Sequence, residues 1–365
     1  MGLHVCFIAT EFFGKNSRGG FGAATRSIGS GLAKRGLQVS VVVPSFKREP
    51  HVSEVDGVIV HSHPIHEYPF TGRLYEDLGA DIYHSEEPSW GTKIASLAVT
   101  RGVHVVTCQN PRTSDEWKLV YPYYPLRRRL FNFLMGESIR QCVKELDSVY
   151  CQARYIITKA KMIYELPYNP IFMPNPVKIN THSPKKPSEP TISFLGRFDP
   201  EKAPEIFFEL ARRNPSIRFV AAGMANDHRR DKRLRLHYAK IRNLELPGHL
   251  GEEDKSRLLD ETWILVNTSV SECLPVSFLE ASAHGCAILS QHDPDGFASS
   301  FGYHVREGRY DSGLDWLLED ERWKLRGEMG RRYVSEVHEF ERVIDLHVKE
   351  YKRLLSKPHP FSSAQ

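Results

Sequence analysis

Residues 167–190 read PYNPIFMPNPVKINTHSPKKPSEP. Seven of the chain's 23 prolines, Pro167, Pro170, Pro174, Pro176, Pro184, Pro187 and Pro190, fall in this one stretch. Proline locks φ and removes a backbone donor, so neither a helix nor a central strand runs through such a segment. The stretch reads as a linker that divides the 365 residues into two parts of ordinary domain size. Before it, Val5 to Ala9, Val39 to Val43, Val58 to His61, Ile82 to His84 and Val103 to Thr107 are short β-branched runs separated mostly by segments of helical spacing. After it, Ile192 to Leu195, Ile217 to Ala221, Ile264 to Asn267 and Ala287 to Leu289 repeat the alternation. Strands that alternate with helices and stay apolar along their length belong to parallel sheets covered on both faces. The expected fold is α/β, two Rossmann-like doubly wound domains facing a cleft. Expected boundaries are 1–170, a linker at 171–190, a second domain at 191–335, and a helical segment at 336–365 that packs back on the first domain. Residues 117 to 147 read as one long helix or a helical pair, and 321 to 355 as helices with few interruptions.

Composition narrows the function. Hydrophobic residues make up 41 % and charged residues 26 %, which excludes disorder as the main state. No apolar run approaches the roughly twenty residues of a membrane-spanning helix. Met1 to Ala9 lacks a cationic head, so the expectation is a mature chain that begins at Met1. Six cysteines show no zinc-type spacing, and the simplest reading is a reduced, cytoplasmic protein. Residues 1–180 carry 21 − 16 = +5 charges and the remainder 28 − 29 = −1, too mild for a nucleic-acid partner.

Three segments could carry chemistry. Arg18-Gly19-Gly20-Phe21-Gly22 follows the first strand and leads into a helix from about Ala23 to Arg35, closed by Gly36. Gly19 and Gly20 would let backbone N–H groups approach a phosphate at a helix N-terminus. The segment lacks the GxGxxG fingerprint of a nicotinamide site. In the second half, Phe194-Leu195-Gly196-Arg197-Phe198-Asp199-Pro200-Glu201-Lys202 runs from a strand into a turn. Arg197 and Lys202 at its carboxyl end suit a diphosphate, one as a planar fork and the other as a point charge. The third segment is Asn267-Thr268-Ser269-Val270-Ser271-Glu272-Cys273-Leu274-Pro275-Val276-Ser277-Phe278-Leu279-Glu280-Ala281. There a strand ends, a loop carries Glu272, and a helix from about Val276 carries Glu280. Carboxylates accept hydrogen bonds from sugar or ribose hydroxyls, and the N–H groups of Cys273 and Leu274 would line the same corner.

With these segments in place the chain resembles the retaining family 4 glycosyltransferases of the GT-B fold. The Glu272-x7-Glu280 spacing, the Gly196-Arg197 to Lys202 segment and the Gly19-Gly20 loop carry the resemblance. Asp81-Ile82-Tyr83-His84-Ser85-Glu86-Glu87-Pro88 is similar to the family's Asp-x-x-His-x-His-x-Pro strand end, and Pro174-Asn175-Pro176-Val177 to its Pro-Asn-Gly-Val linker. Two positions depart from the pattern: Gln109 stands where the family often has a histidine, and Glu86 replaces the second histidine.

The resemblance implies transfer of a hexosyl group from a nucleoside-diphosphate sugar, UDP or GDP first, to a sugar, lipid or small-molecule acceptor, with retention and without a metal ion or other cofactor. It places the acceptor in the first domain and the donor in the second. Arg197, Lys202 and Glu272 would be catalytic, the cations meeting charge on the leaving diphosphate. Gly19, Gly20, Gln109, Arg112, Cys273, Leu274 and Glu280 would bind substrate, Glu280 on the ribose. The same cleft could instead serve a sugar-nucleotide epimerase or an inactive nucleotide-sugar-binding protein.

Two further stretches need a reading. His61, His63 and His66 read as a surface loop rather than a metal site, having no accompanying carboxylates. Tyr121 to Met135 interleaves aromatics with Arg127, Arg128 and Arg129. It reads first as a helix start whose apolar face is core, with peripheral membrane contact as the second use of such a pattern.

Overall fold

The computed structural model describes residues 2–12, 19–45, 51–180, 184 and 186–356. Arg18 of the glycine segment and the expected frayed end at 358–365 lie outside them. Two compact units form: residues 1–113, 125–176 and 340–365 make the first, and 114–124 with 177–339 the second.

The chain begins with β1 (His4–Ile8), α1 (Gly20–Lys34), β2 (Gln38–Ser45), β3 (Val52–Val55), β4 (Val58–Pro64), α2 (Gly72–Leu78), β5 (Ile82–Ser85), α3 (Trp90–Ala98) and β6 (Val103–Cys108). A short helix, α4 (Ser114–Val120), counts with the second unit. The first unit continues with α5 (Leu126–Lys144), β7 (Ser148–Cys151), α6 (Arg154–Ile163) and β8 (Ile171–Phe172). The second contains β9 (Thr191–Leu195), α7 (Pro204–Arg213), β10 (Arg218–Ala222), α8 (His228–Tyr238), β11 (Leu244–Gly248), α9 (Glu252–Glu261) and β12 (Ile264–Asn267). It ends with α10 (Val276–Ala283), β13 (Ala287–Ser290), α11 (Phe297–Phe301), β14 (Gly302–His304), α12 (Tyr310–Leu318) and α13 (Arg322–Val337). The last helix, α14 (Phe340–Leu355), returns to the first unit.

Local chemistry sets several of these ends. Gly36, at φ +81°, closes α1 in the left-handed region. At the start of α3 the Ser89 hydroxyl accepts from the Thr92 amide, and Thr92 Oγ1 accepts from the Ser89 amide, a reciprocal capping box. Pro204 opens α7, where its missing N–H is no loss.

The first sheet has the order β3-β4-β2-β1-β5-β6-β7-β8, and among the described residues only β3 and β4 pair antiparallel. The second has the order β11-β10-β9-β12-β13-β14, with its pairings parallel. In each sheet the winding reverses beside the first strand, between β1 and β5 and between β9 and β12. The crevice outside the carboxyl ends at such a reversal is where doubly wound sheets bind ligands.

The apolar runs expected as strands all fall in the two sheets, within a residue or two of their ends except at β4, which continues three residues past His61. β3, β7, β8, β11 and β14 lack a readable signal, being two to five residues long, and β11 (LELPG) carries a proline on the edge of its sheet. His61 and His63 belong to β4 rather than to a surface loop, and His63 is buried and stacked on Tyr68. Among the described residues no group of histidines, cysteines and carboxylates could hold a metal ion. No described helix is long and apolar enough to cross a membrane.

Candidate active site

The carboxyl ends of β9 and β12 lie at the reversal of the second sheet, and their loops are tied together. The Thr268 hydroxyl donates to the backbone carbonyls of Lys202 and Ala203 at 2.8 and 2.9 Å. The Val270 amide donates to the Glu201 carbonyl at 2.8 Å. Ala203 adopts φ +44°, a left-handed conformation that costs a side-chain-bearing residue about 1–2 kcal/mol, and the Thr268 bonds hold it there. At the neighbouring β10 end Gly223 has φ +154°, and a Cβ on it would sit 1.8 Å from the Gly196 carbonyl oxygen. Only glycine permits β9 and β10 to end this closely.

These ties bring Lys202 to Glu272. The Lys202 ammonium lies 2.5 Å from Glu272 Oε1, which also accepts from Ser269 Oγ at 2.6 Å and Asn267 Nδ2 at 3.3 Å. Burial would push the Glu272 carboxyl up, but Lys202, Ser269 and Asn267 outweigh it and hold the group below its ordinary value. Glu272 is therefore a fixed carboxylate. Arg197 pairs with Asp199 at 2.9 Å and Glu201 at 3.1 Å while remaining 37 % exposed at its side chain. The two cations thus stand among three carboxylates, so a diphosphate arriving here exchanges existing ion pairs rather than filling a bare positive pocket.

Glu280 sits one turn inside α10, where Lys255 of α9 reaches it at 2.6 Å. Burial lowers the Lys255 ammonium's proton affinity, but Glu280 and Glu252 raise it by more. Nothing in the spacing of the sequence marks Lys255 as Glu280's partner. Cys273 and Leu274 are buried immediately before α10.

In the first unit the glycine segment differs from the expected phosphate cradle. The α1 helix starts at Gly20 rather than Ala23, and its N-terminus already carries an anion from the chain itself. Gly22 N–H donates to Glu11 Oε1 at 3.0 Å, and a Cβ on Gly19 would lie 2.1 Å from the same oxygen. Gly19 is small because Glu11 packs on it. A phosphate could occupy this helix end only after displacing that carboxylate.

The β1–β5 reversal holds the two departures from the family pattern. Glu86 is buried and accepts from the Thr10 amide at 2.9 Å and the Thr25 hydroxyl at 2.9 Å. Burial, then Glu87 and Glu11, raise its carboxyl to about 8, so it carries a proton at neutral pH. Glu87 is also raised by burial, against the opposing pull of Arg128 and Arg112. Arg112 is half-buried beside this carboxylate.

Gln109 is only 4 % exposed, so it is an internal residue rather than a contact offered on the surface. Its Nε2 donates to the Glu86 carbonyl at 3.2 Å, and its own carbonyl accepts from Gln152 Nε2 at 3.1 Å. Among the described residues its Oε1 has no hydrogen-bond partner. With Thr25, Glu86, His84, Asn175 and His347 it lines an internal chamber of about 20 Å³, the room of about one water molecule. His84 beneath it bonds Tyr351 at 2.6 Å and Thr107 at 2.8 Å, and burial keeps the ring neutral.

Two doubly wound units, the second with Arg197, Lys202 and two carboxylates at its sheet reversal, define a class: the nucleotide-sugar-dependent glycosyltransferases of the GT-B fold. Two family models match the chain, glycosyl transferases group 1 over residues 178–332 and the starch synthase catalytic domain over residues 4–153. The chain is a glycosyltransferase with the GT-B fold. Sucrose-phosphate synthase from Thermosynechococcus elongatus superposes with a TM-score of 0.78 at 15 % identity, over 97 % of this chain and 99 % of that one. HepE from Anabaena, in complex with UDP-glucose, gives 0.71 at 12 % identity over 96 % and 100 %. The catalytic domain of starch synthase IV from Arabidopsis thaliana, bound to ADP and acarbose, gives 0.67 at 12 % identity over 98 % and 100 %. At such identities the likeness concerns the fold. No curated protein matches the sequence.

Proposed function

We propose that the chain transfers a hexosyl group from a nucleoside-diphosphate sugar to an acceptor hydroxyl with retention of configuration, as family 4 enzymes do, and without a metal ion. The observation that carries the reading is the Lys202–Glu272 pair, held at the sheet reversal by Thr268, Ser269 and Asn267. As the glycosidic bond breaks, negative charge grows on the diphosphate, and preorganised donors aimed at that charge supply the largest catalytic contribution. Lys202 and the half-exposed Arg197 are those donors, and they take the role a metal would otherwise fill. Glu272, kept ionised, accepts from hydroxyls of the donor sugar and orients its anomeric carbon.

Cys273 and Leu274 bound the sugar pocket at the start of α10, and Glu280 accepts from the ribose. In the first unit Arg112 binds substrate, and Gly19 and Gly20 do so once Glu11 yields, whereas the buried Gln109 is not offered to it. No second carboxylate is assigned as a covalent nucleophile, unlike retaining glycosidases. Attack from the leaving-group face, with the departing phosphate taking the acceptor's proton, fits this set of residues. The relatives crystallised with UDP-glucose and with ADP support a nucleotide-sugar donor.

The test is incubation with UDP-, GDP- and ADP-sugars, with released nucleotide as the readout and the anomeric configuration of any product followed by proton NMR. Slow hydrolysis of one donor that persists in EDTA is expected. Complete inactivation by chelator, restored by Mg²⁺ or Mn²⁺, contradicts metal independence, and an inverted product contradicts retention. Conversion of the donor sugar without nucleotide release identifies an epimerase instead.

A further inference from the structure

The apolar face of α5 is not core. Leu126, Leu130, Phe133 and Leu134 are 78, 56, 80 and 60 % exposed. At about 100° per residue, positions i, i+4, i+7 and i+8 form one stripe along the first two and a half turns. Arg127 falls on one edge of that stripe and Arg129 on the other. Arg128 projects from the opposite face, where its charge reaches the half-buried Glu87. That opposite face is the packed one: Ser138 receives a hydrogen bond from Lys93, and Cys142 lies 3.2 Å from Ser96 of α3. In the last turns the outward side becomes polar, with Glu137, Arg140 and Gln141, so the apolar stripe is confined to the N-terminal half of the helix.

We infer that this half-helix docks on an anionic phospholipid surface, a property separate from the transfer reaction. Charge complementarity selects the partner: from Leu126 to Gly136, the apolar half of α5, the chain carries Arg127, Arg128 and Arg129 and not one carboxylate. The shape selects a bilayer over a protein. A stable protein interface needs about 800 Å² from each partner, and four side chains on one convex helix fall short of it. An interfacial helix needs only one apolar face sunk about 5–10 Å below the headgroups. Arginines flanking such a face lay their methylene stems on the acyl chains and keep their guanidinium groups among phosphates.

The test is co-sedimentation of the full chain with vesicles of phosphatidylcholine alone and of phosphatidylcholine mixed with phosphatidylglycerol, at low and high salt. Binding to the anionic vesicles, released by salt, is expected, with little binding to the neutral ones. The double variant Leu130→Glu, Phe133→Glu alters exposed positions only and should reduce binding by roughly tenfold or more, given the apolar area each side chain contributes. Arg127→Glu should reduce it less and flatten the salt dependence. Thermal unfolding and donor hydrolysis should be unchanged in all three proteins. Equal sedimentation of wild type and double variant, or no sedimentation at all, overturns the inference. So does light scattering that shows a wild-type dimer made monomeric by the double variant, since the stripe would then belong to a second copy.

Discussion

Lys202 and Glu272 neutralise each other across 70 positions of sequence, so substitution of either acts on folding as well as on chemistry. Arg197→Ala removes a half-exposed cation whose charge-assisted contact is worth ~1.5–3 kcal/mol. Turnover should fall by roughly one to two orders of magnitude, with only a modest loss of stability, because Asp199 keeps the two Asn226 donors when its cation goes. Lys202→Ala should lose at least as much activity and also destabilise the second unit, because it leaves a buried carboxylate unpaired. The folded Glu272 titrates below its ordinary 4.5, so the stability that the pair contributes is present above that pH and lost as pH falls through the folded value. The variant's deficit should accordingly appear at neutral pH and shrink in acid. Near-normal rates in both variants would remove the diphosphate assignment.

Glu86 makes the opposite prediction at the same scale. Its carboxyl titrates at about 8 in the fold against an ordinary 4.5, so between these values the folded chain binds a proton that the unfolded chain has released. Stability should fall as pH rises through that window, by at most ~1.4 kcal/mol per pH unit from this group, and level off above it. Glu86→Gln keeps the shape and both kinds of hydrogen-bonding group, and it should flatten the slope in urea titrations run from about pH 5 to about pH 8. An unchanged slope would show that Glu86 is ionised in the fold.

Between elements, the pair Lys255–Glu280 clamps α9 to α10, and this gives the ribose assignment a control. Glu280→Gln removes both the clamp and a carboxylate acceptor, whereas Lys255→Met removes the clamp alone. Calorimetric titration with UDP and GDP should show weaker binding for Glu280→Gln than for Lys255→Met, alongside thermal destabilisation of similar size in the two. Equal affinities would reduce Glu280 to a packing role. The α1–α14 contact shows a different kind of element-scale constraint. A Cβ on Gly31 would lie 2.5 Å from Ile344 Cδ1, so two helices more than 300 residues apart touch where one has no side chain. Neither the clamp nor this contact follows from periodicity, because each joins residues that local sequence does not relate. The apolar residues of α5 were legible as a stripe, but whether that stripe met core or solvent depended on which face α3 covered.

At the scale of the whole molecule, α14 closes the first unit although it comes last in the chain. Phe340, Ile344, Tyr351 and Leu354 belong to the same buried cluster as Val5, Phe7, Ile28 and Val41. Ile344→Ala should cost about 2–5 kcal/mol, read from the urea midpoint, and a chain truncated after Val337 should lose cooperative unfolding of the first unit. A truncated chain that unfolds as sharply as the full one would show that the first unit is complete without α14. The alternation of strands and helices, the parallel sheets and the loops at the carboxyl ends of β9 and β12 were legible in the sequence, because each is written in residues within a few positions of one another. Tertiary structure decided that Lys202 holds Glu272, that Glu11 occupies the α1 N-terminus, that Gln109 is internal and that Glu86 keeps its proton. Those outcomes depend on burial and on partners 11 to 75 positions away, which packing alone brings close.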